Sequence, residues 1–276
     1  NHAQGWPYFT EHLVLATPDN GVATAIYAAC KATVKVGDGK EITLHEETNY
    51  PFEEAIAFTV STGEKVAFPF YLRIPSWTKG AEVRVNGKKV SVTPVAGKYL
   101  CINREWANGD RVELTLPMSL SMRTWQVNKN SVSVDYGPLT LSLKIAEKYV
   151  EKDSRETAIG DSKWQKGADS KKWSTTEIYP DSPWNYSLVL DKKEPLKNFK
   201  VIRKSWPTDN YPFTVASVPL EVKAIGRPVP EWKIDETGLC GVLPEEDAVK
   251  GDKEEITLIP MGAARLRISA FPNTKE

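Results

Sequence analysis

Cysteine, histidine and methionine are scarce, with three of each in 276 residues. Cys30, Cys101 and Cys240 lie far apart and form no Cys-x-x-Cys pair, so the short spacing of zinc sites and redox pairs is missing. An odd count gives no disulfide framework. Contexts such as Tyr99-Leu100-Cys101-Ile102 predict buried structural thiols. Net charge is also absent, because 36 Lys+Arg balance 36 Asp+Glu. A nucleic-acid binder usually carries a basic excess. No apolar run approaches the ~20 residues of a membrane helix. Nucleic acid and membrane are therefore not expected partners. No Gly-x-Ser-x-Gly elbow, His-Glu-x-x-His, phosphate-binding Gly-rich loop or Gly-x-Gly-x-x-Gly occurs. The opening Asn1-His2-Ala3-Gln4-Gly5-Trp6-Pro7-Tyr8-Phe9 has neither the basic nor the apolar region of a signal peptide. A first residue other than Met leads us to expect a removed leader or a piece of a longer chain.

What is present is a globular composition, 41% hydrophobic and 26% charged. Period-two alternation dominates it. Ile56, Phe58 and Val60 share one parity, as do Phe68, Phe70, Leu72 and Ile74. Val83 and Val85 run into Asn86-Gly87 and out to Val90 and Val92, a strong hairpin signal. Further runs are Val112-Leu114-Leu116, Val132-Val134-Tyr136, Leu139 to Ile145, Val218-Leu220-Val222, Ile256-Leu258 and Leu266-Ile268-Ala270. Ala23 to Ala29 reads as a strand, and Tyr8 to Leu15 is the best short helix. These patterns predict an all-β chain. Its length exceeds one sandwich of ~100 residues, so two consecutive antiparallel β-sandwich domains are expected. The reading places them at residues 21–125 and 126–276, the second with a polar excursion near 147–181.

Candidate catalytic groups are thin. Glu46-Glu47 and Glu53-Glu54 are adjacent pairs, and strand neighbours point to opposite faces. Neither pair can flank one sugar as a glycosidase requires, and the carboxylates read as solvated. His45 reads as part of a solvated strand face. Aromatics are plentiful, with nine Trp and ten Tyr. Trp commonly fills sandwich cores. Trp164 and Trp173, in the polar excursion, are the candidates for exposed carbohydrate contact.

Several strings in order resemble glycoside hydrolase family 127, the β-L-arabinofuranosidase-like family. They are the opening nonapeptide, Glu47-Thr48-Asn49-Tyr50-Pro51-Phe52 and Phe70-Tyr71-Leu72-Arg73-Ile74-Pro75-Ser76-Trp77. Val85-Asn86-Gly87, then Tyr99 through Trp106 and Gly109-Asp110, are similar to its next hairpins. Asp135-Tyr136-Gly137-Pro138-Leu139, Ser182-Pro183-Trp184-Asn185-Tyr186 and Ile259 through Arg267 complete the set. The likeness is weakest over 147–175 and 235–255.

The resemblance implies a helical (α/α)6 barrel that holds the active site, followed by β-sandwich domains. In the family a zinc-bound cysteine acts as nucleophile with a glutamate acid/base, in retaining hydrolysis of an arabinofuranoside. The family's cysteine pair would fall just before Asn1, and none of Cys30, Cys101 or Cys240 matches it. The resemblance therefore implies no catalytic residue, cofactor or metal ligand in this chain, with zinc in the barrel. It implies that residues 1–20 are a remnant of that barrel. Asn1, His2 and Gln4 would then sit at the edge of the active site. The expected partners are the barrel of the same protein and plant-type glycans. The expected role is an accessory region that braces the barrel and is inactive alone. A carbohydrate-binding module and a surface interaction domain are the alternatives. The resemblance points to the periplasm or the cell exterior.

Overall fold

The computed structural model describes residues 4–154, 169, 172–245 and 247–275. The chain divides into two compact units. One comprises Asn1–Ser119 with Tyr136–Pro138, the other Leu120–Asp135 with Leu139–Glu276. Strands far outweigh helix among the described residues and form several sheets. No described helix is long and apolar enough to cross a membrane.

Unit 1 opens with a short helix, α1 (Gly5–Glu11), and β1 (Val14–Ala16). It continues through β2 (Val22–Thr24), β3 (Cys30–Val36), β4 (Lys40–Thr48), β5 (Ala55–Thr62) and β6 (Val66–Ile74). Then come β7 (Glu82–Val85), β8 (Lys88–Lys89), β9 (Lys98–Trp106) and β10 (Arg111–Thr115). They form a four-stranded sheet, β1-β2-β6-β9, and a six-stranded one, β3-β4-β5-β10-β7-β8. The alternating side chains of both sheets meet in one core. In β6, Phe68, Phe70, Leu72 and Ile74 are buried while the intervening residues face outward. Phe70 meets Phe58 of β5 edge to face at 5.4 Å, and Trp106 stacks on Phe68 at 5.6 Å. The buried Trp106 indole donates to the Phe68 carbonyl at 3.0 Å, so its one polar atom is satisfied.

Turn chemistry fixes the register. Asn86 and Gly87 both have positive φ, 49° and 77°, as a two-residue hairpin turn demands. The Asn86 side chain donates to Asp110 Oδ1 at 2.7 Å and accepts the Arg111 N–H at 2.8 Å, tying two turns together. Gly21 serves close approach: a Cβ there would lie 2.3 Å from the Pro69 carbonyl oxygen. Pro69 sits in β6 where β2 does not pair with it, since β2 spans only Phe70 to Leu72 of that strand. Its missing N–H is thus harmless on that side.

Unit 2 holds β11 (Leu120–Trp125), β12 (Ser131–Tyr136), β13 (Leu139–Leu143), β14 (Glu147–Lys152) and β15 (Thr175–Pro180). It continues with β16 (Tyr186–Leu190), β17 (Lys200–Arg203), β18 (Leu220–Pro228), β19 (Glu254–Pro260) and β20 (Asn273–Lys275). Its large sheet runs β11-β12-β13-β19-β18-β16-β20, with β17 beside β18; β14 and β15 pair separately. Val134, Leu141, Leu188, Val222, Leu258 and Phe271 centre its core.

Several expectations are corrected. The pairings are not all antiparallel, because β2–β6 and β16–β20 are parallel. Leu266 to Ala270 is not a strand. Ile268 instead bonds the buried Ser142 hydroxyl through both its N–H (3.0 Å) and its carbonyl (3.1 Å). The Ala23–Ala29 strand stops at Thr24, and the expected Tyr8–Leu15 helix starts at Gly5 and ends at Glu11. A barrel remnant is not evident in residues 4–20: one seven-residue helix precedes a strand that joins the sheet. Part of the expected excursion is ordered as the β14–β15 ladder. Val90 extends the hairpin as expected, its N–H bonding the Val83 carbonyl at 3.1 Å, whereas Val92 does not and is exposed.

Candidate functional site

Of the residues singled out by sequence, Asn1, His2 and Trp164 lie outside the described residues. Gln4 is exposed at the N-cap of α1, and its side chain makes no capping bond. The helix buries none of its residues. Trp6 is 59% exposed, Tyr8 67% and Phe9 38%, and Trp6 meets Phe9 edge-on at 6.0 Å. The helix thus presents three exposed aromatics, two of which touch each other. Trp173 is 65% exposed, with the Lys172 ammonium 5.9 Å from its ring centre. Trp125, which the sequence did not single out, is also exposed. Cys240 is exposed and Cys30 and Cys101 half-buried, which corrects the expectation of buried thiols.

The deepest titratable cluster lies under β4. Ile42, Leu44 and Glu46 share one parity and are all buried, while Glu47 points outward. Glu46 is only 1% exposed, so the reading of it as a solvated acid was wrong. The parity of β4 was the signal available. Its register partner Cys30 places Sγ 3.8 Å from Oε2, and Oε1 has no hydrogen-bond partner among the described residues. Burial pushes the Glu46 carboxyl up to about 8, against a smaller opposing pull from the Ala28 N–H and Cys30. Burial, with the Glu46 charge, raises Cys30 to about 11. A thiol held in that direction is a poor nucleophile. Tyr27, beside them, spends its hydroxyl on the Arg73 carbonyl at 2.5 Å. This cluster is a closed part of the core.

The outer face of β5, β10 and β7 bears a charged groove of about 530 Å³. Arg111 pairs with Glu47 at 3.2 Å and Glu113 at 3.6 Å, and Arg84 pairs with Glu82 at 3.5 Å. All are about half exposed, and such pairs contribute roughly 0–1 kcal/mol each. The lining holds four carboxylates, Glu47, Glu53, Glu82 and Glu113, against two guanidiniums, so the groove stays net acidic and exposed. Among the described residues, no three His, Cys, Asp or Glu side chains are grouped to hold a metal ion.

Unit 2 carries a more selective pocket, of about 610 Å³. One wall is the β15 segment Glu177 to Pro180, with Trp184 following. Trp184 is braced edge-on by the buried Trp232 at 5.2 Å, whose indole donates to the Gly241 carbonyl at 3.0 Å. A second wall is the Ile234–Cys240 loop, closed by a bridge between its ends. Asp235 Oδ1 accepts the Thr237 N–H at 2.9 Å, the Thr237 hydroxyl at 2.6 Å and the Leu239 N–H at 3.1 Å. The Thr237 hydroxyl, first among these bonds, holds the Asp235 carboxyl below its ordinary value. The third wall is Arg265 to Ile268. Sequence reasoning missed this pocket, because its walls come from three segments far apart in the chain, and the Ile234–Cys240 loop lies where the likeness to the family is weak.

Residues 21–118 match the sequence profile of the β-L-arabinofuranosidase, GH127 middle domain. No curated protein matches the chain. Among solved structures, a GH127 β-L-arabinofuranosidase from Geobacillus stearothermophilus T6 is 21% identical, with a TM-score of 0.65. The alignment covers 99% of this chain and 37% of that one. A glycoside hydrolase (22% identity, TM-score 0.61) covers 93% of this chain and is covered over 36%. A GH127 β-arabinofuranosidase (23%, TM-score 0.59) gives 94% and 36%. The chain thus spans little more than a third of the length of these structures. Residues 21–118 are thus similar to the GH127 middle domain, in a chain that shares the fold of about a third of these GH127 structures.

Proposed function

We propose that the chain is the non-catalytic β region of a GH127-type arabinofuranosidase, two β-sandwich bodies that brace a helical catalytic barrel. The observation that supports this best is α1. A seven-residue helix is too short to be stable in water by itself. Three exposed aromatics on so short an element mark a surface made to be covered. In this reading Trp6, Tyr8 and Phe9 pack on the barrel, and Gln4 borders its cleft. The catalytic cysteine, the acid/base and any zinc belong to the barrel. The thiols here do not fit a zinc site, since Cys30, Cys101 and Cys240 belong to β3, β9 and the pocket loop with no third donor grouped near them among the described residues.

The test is to mix the chain with a GH127 catalytic barrel produced as a separate polypeptide. A complex is expected by analytical ultracentrifugation. Its affinity should fall at least ten-fold in the Trp6→Ser/Tyr8→Ser/Phe9→Ser variant. Binding unchanged by that variant, or no binding at all, would refute the bracing role.

A further inference from the structure

We propose that the unit 2 pocket is a binding site for an acidic saccharide, a short oligosaccharide whose rings carry carboxylates. This goes beyond the bracing role and does not depend on it, since every residue of the site lies in unit 2.

The walls supply flat and apolar surface. Tyr179 and Trp184 present rings on one side, and the exposed Leu239 and Ile234 on the other. Sugar rings stack their C–H faces on such surfaces. Trp184 is fixed by Trp232, and the loop is fixed by Asp235, so both walls are set before any ligand arrives. About 610 Å³ exceeds a single small aromatic acid and suits a ligand of two or three rings.

The charges decide the class. Arg265 and Arg267 both line the pocket and are exposed. Neither guanidinium has a carboxylate partner within ion-pair distance among the described residues. Arg267 spends only its Nε, on the Ala264 carbonyl at 2.9 Å, which orients the group and leaves its terminal nitrogens free. The nearby acids are already committed. Glu177 accepts the Tyr179 hydroxyl and lies 4.0 Å from Lys152 Nζ. Glu147 accepts the Tyr149 hydroxyl and the Arg265 backbone N–H. The pocket therefore offers two unpaired forks beside ring-stacking walls. Planar guanidinium matches a carboxylate with two parallel hydrogen bonds. A neutral sugar would leave both forks unanswered.

Cys240, the one exposed thiol of the three, stands in the pocket wall and gives a built-in reporter. The experiment titrates the chain calorimetrically with trigalacturonate, with neutral galactotriose and with 4-hydroxycinnamate. In parallel it follows maleimide labelling of Cys240. Trigalacturonate should bind and slow labelling, and galactotriose should bind at least ten-fold more weakly. Arg265→Gln and Arg267→Gln should each weaken trigalacturonate binding ten-fold or more, with the melting temperature unchanged. Equal binding of the neutral sugar, binding indifferent to both arginines, preference for the cinnamate, or no binding of trigalacturonate would each overturn the assignment. Loss of barrel binding in the α1 variant would leave these results untouched, so the two readings fail separately.

Discussion

Replacing Glu46 by Gln should make unit 1 more stable in mild alkali and leave it nearly unchanged in acid. The carboxyl titrates near 8 in the fold and at an ordinary value of 4.5 when unfolded. The fold therefore holds the proton over a range of pH in which the unfolded chain has lost it. Linkage then gives a stability that is complete below pH 4.5 and falls as pH rises toward 8. Each pH unit in that window costs about 1.4 kcal/mol, so the loss is about 3 kcal/mol by pH 7 and about 5 kcal/mol by pH 8. Gln cannot ionise, fills nearly the same volume, and removes this slope. With a urea m-value of roughly 2 kcal/mol/M, the midpoint of the variant should exceed that of the native chain by about 2 M at pH 8.5. At pH 4.5 the two should agree within a few tenths of a molar. Trp106, buried in the same core, reports the transition by fluorescence. Differences taken between the two proteins cancel the other titrating groups. Parallel midpoint-against-pH curves would refute the assignment of a buried neutral carboxyl.

Three further outcomes follow from the packing. Gly21→Ala should destabilise by about 3 kcal/mol or more, because its Cβ would lie 2.3 Å from a backbone oxygen that cannot swing away; a melting temperature within a degree of native would contradict this. Trp106→Phe leaves the Phe68 carbonyl without its indole donor and opens a void, so a loss of about 2–4 kcal/mol is expected in denaturant titration. Glu221 is opposed by burial, yet Lys144 and Lys204, each at 2.6 Å, outweigh it and hold its carboxyl below the ordinary value. Its contribution is present at neutral pH and is lost as pH falls through the acid range. Glu221→Gln should therefore destabilise by about 1–3 kcal/mol at pH 7, and much less at pH 3.

The strands were legible because their signal is local. Phe68, Phe70, Leu72 and Ile74 announce β6 by parity, and Asn86-Gly87 announces its turn because two positive φ values admit few residues. What failed was non-local. Leu266 to Ala270 alternates like a strand, but the Ser142 hydroxyl takes the Ile268 N–H and shares its carbonyl with the Leu143 N–H of β13, so no ladder runs along the segment. The direction of β2 against β6 is set by the chain path and leaves no mark in either sequence. Glu46 was misread by residue type although its parity with Ile42 and Leu44 placed it inside. The unit 2 pocket was invisible because Tyr179, Leu239 and Arg267 become neighbours only after the hairpin, the Asp235 loop and the closing segment have folded together.

The proposed role is to support glycoside hydrolysis without performing it. The most direct measurement is release of 4-nitrophenol from an aryl β-L-arabinofuranoside by the purified 276-residue chain, with and without added zinc. A rate equal to buffer is expected in both cases. Zinc-dependent release that Cys30→Ser, Cys101→Ser or Cys240→Ser abolishes would contradict it.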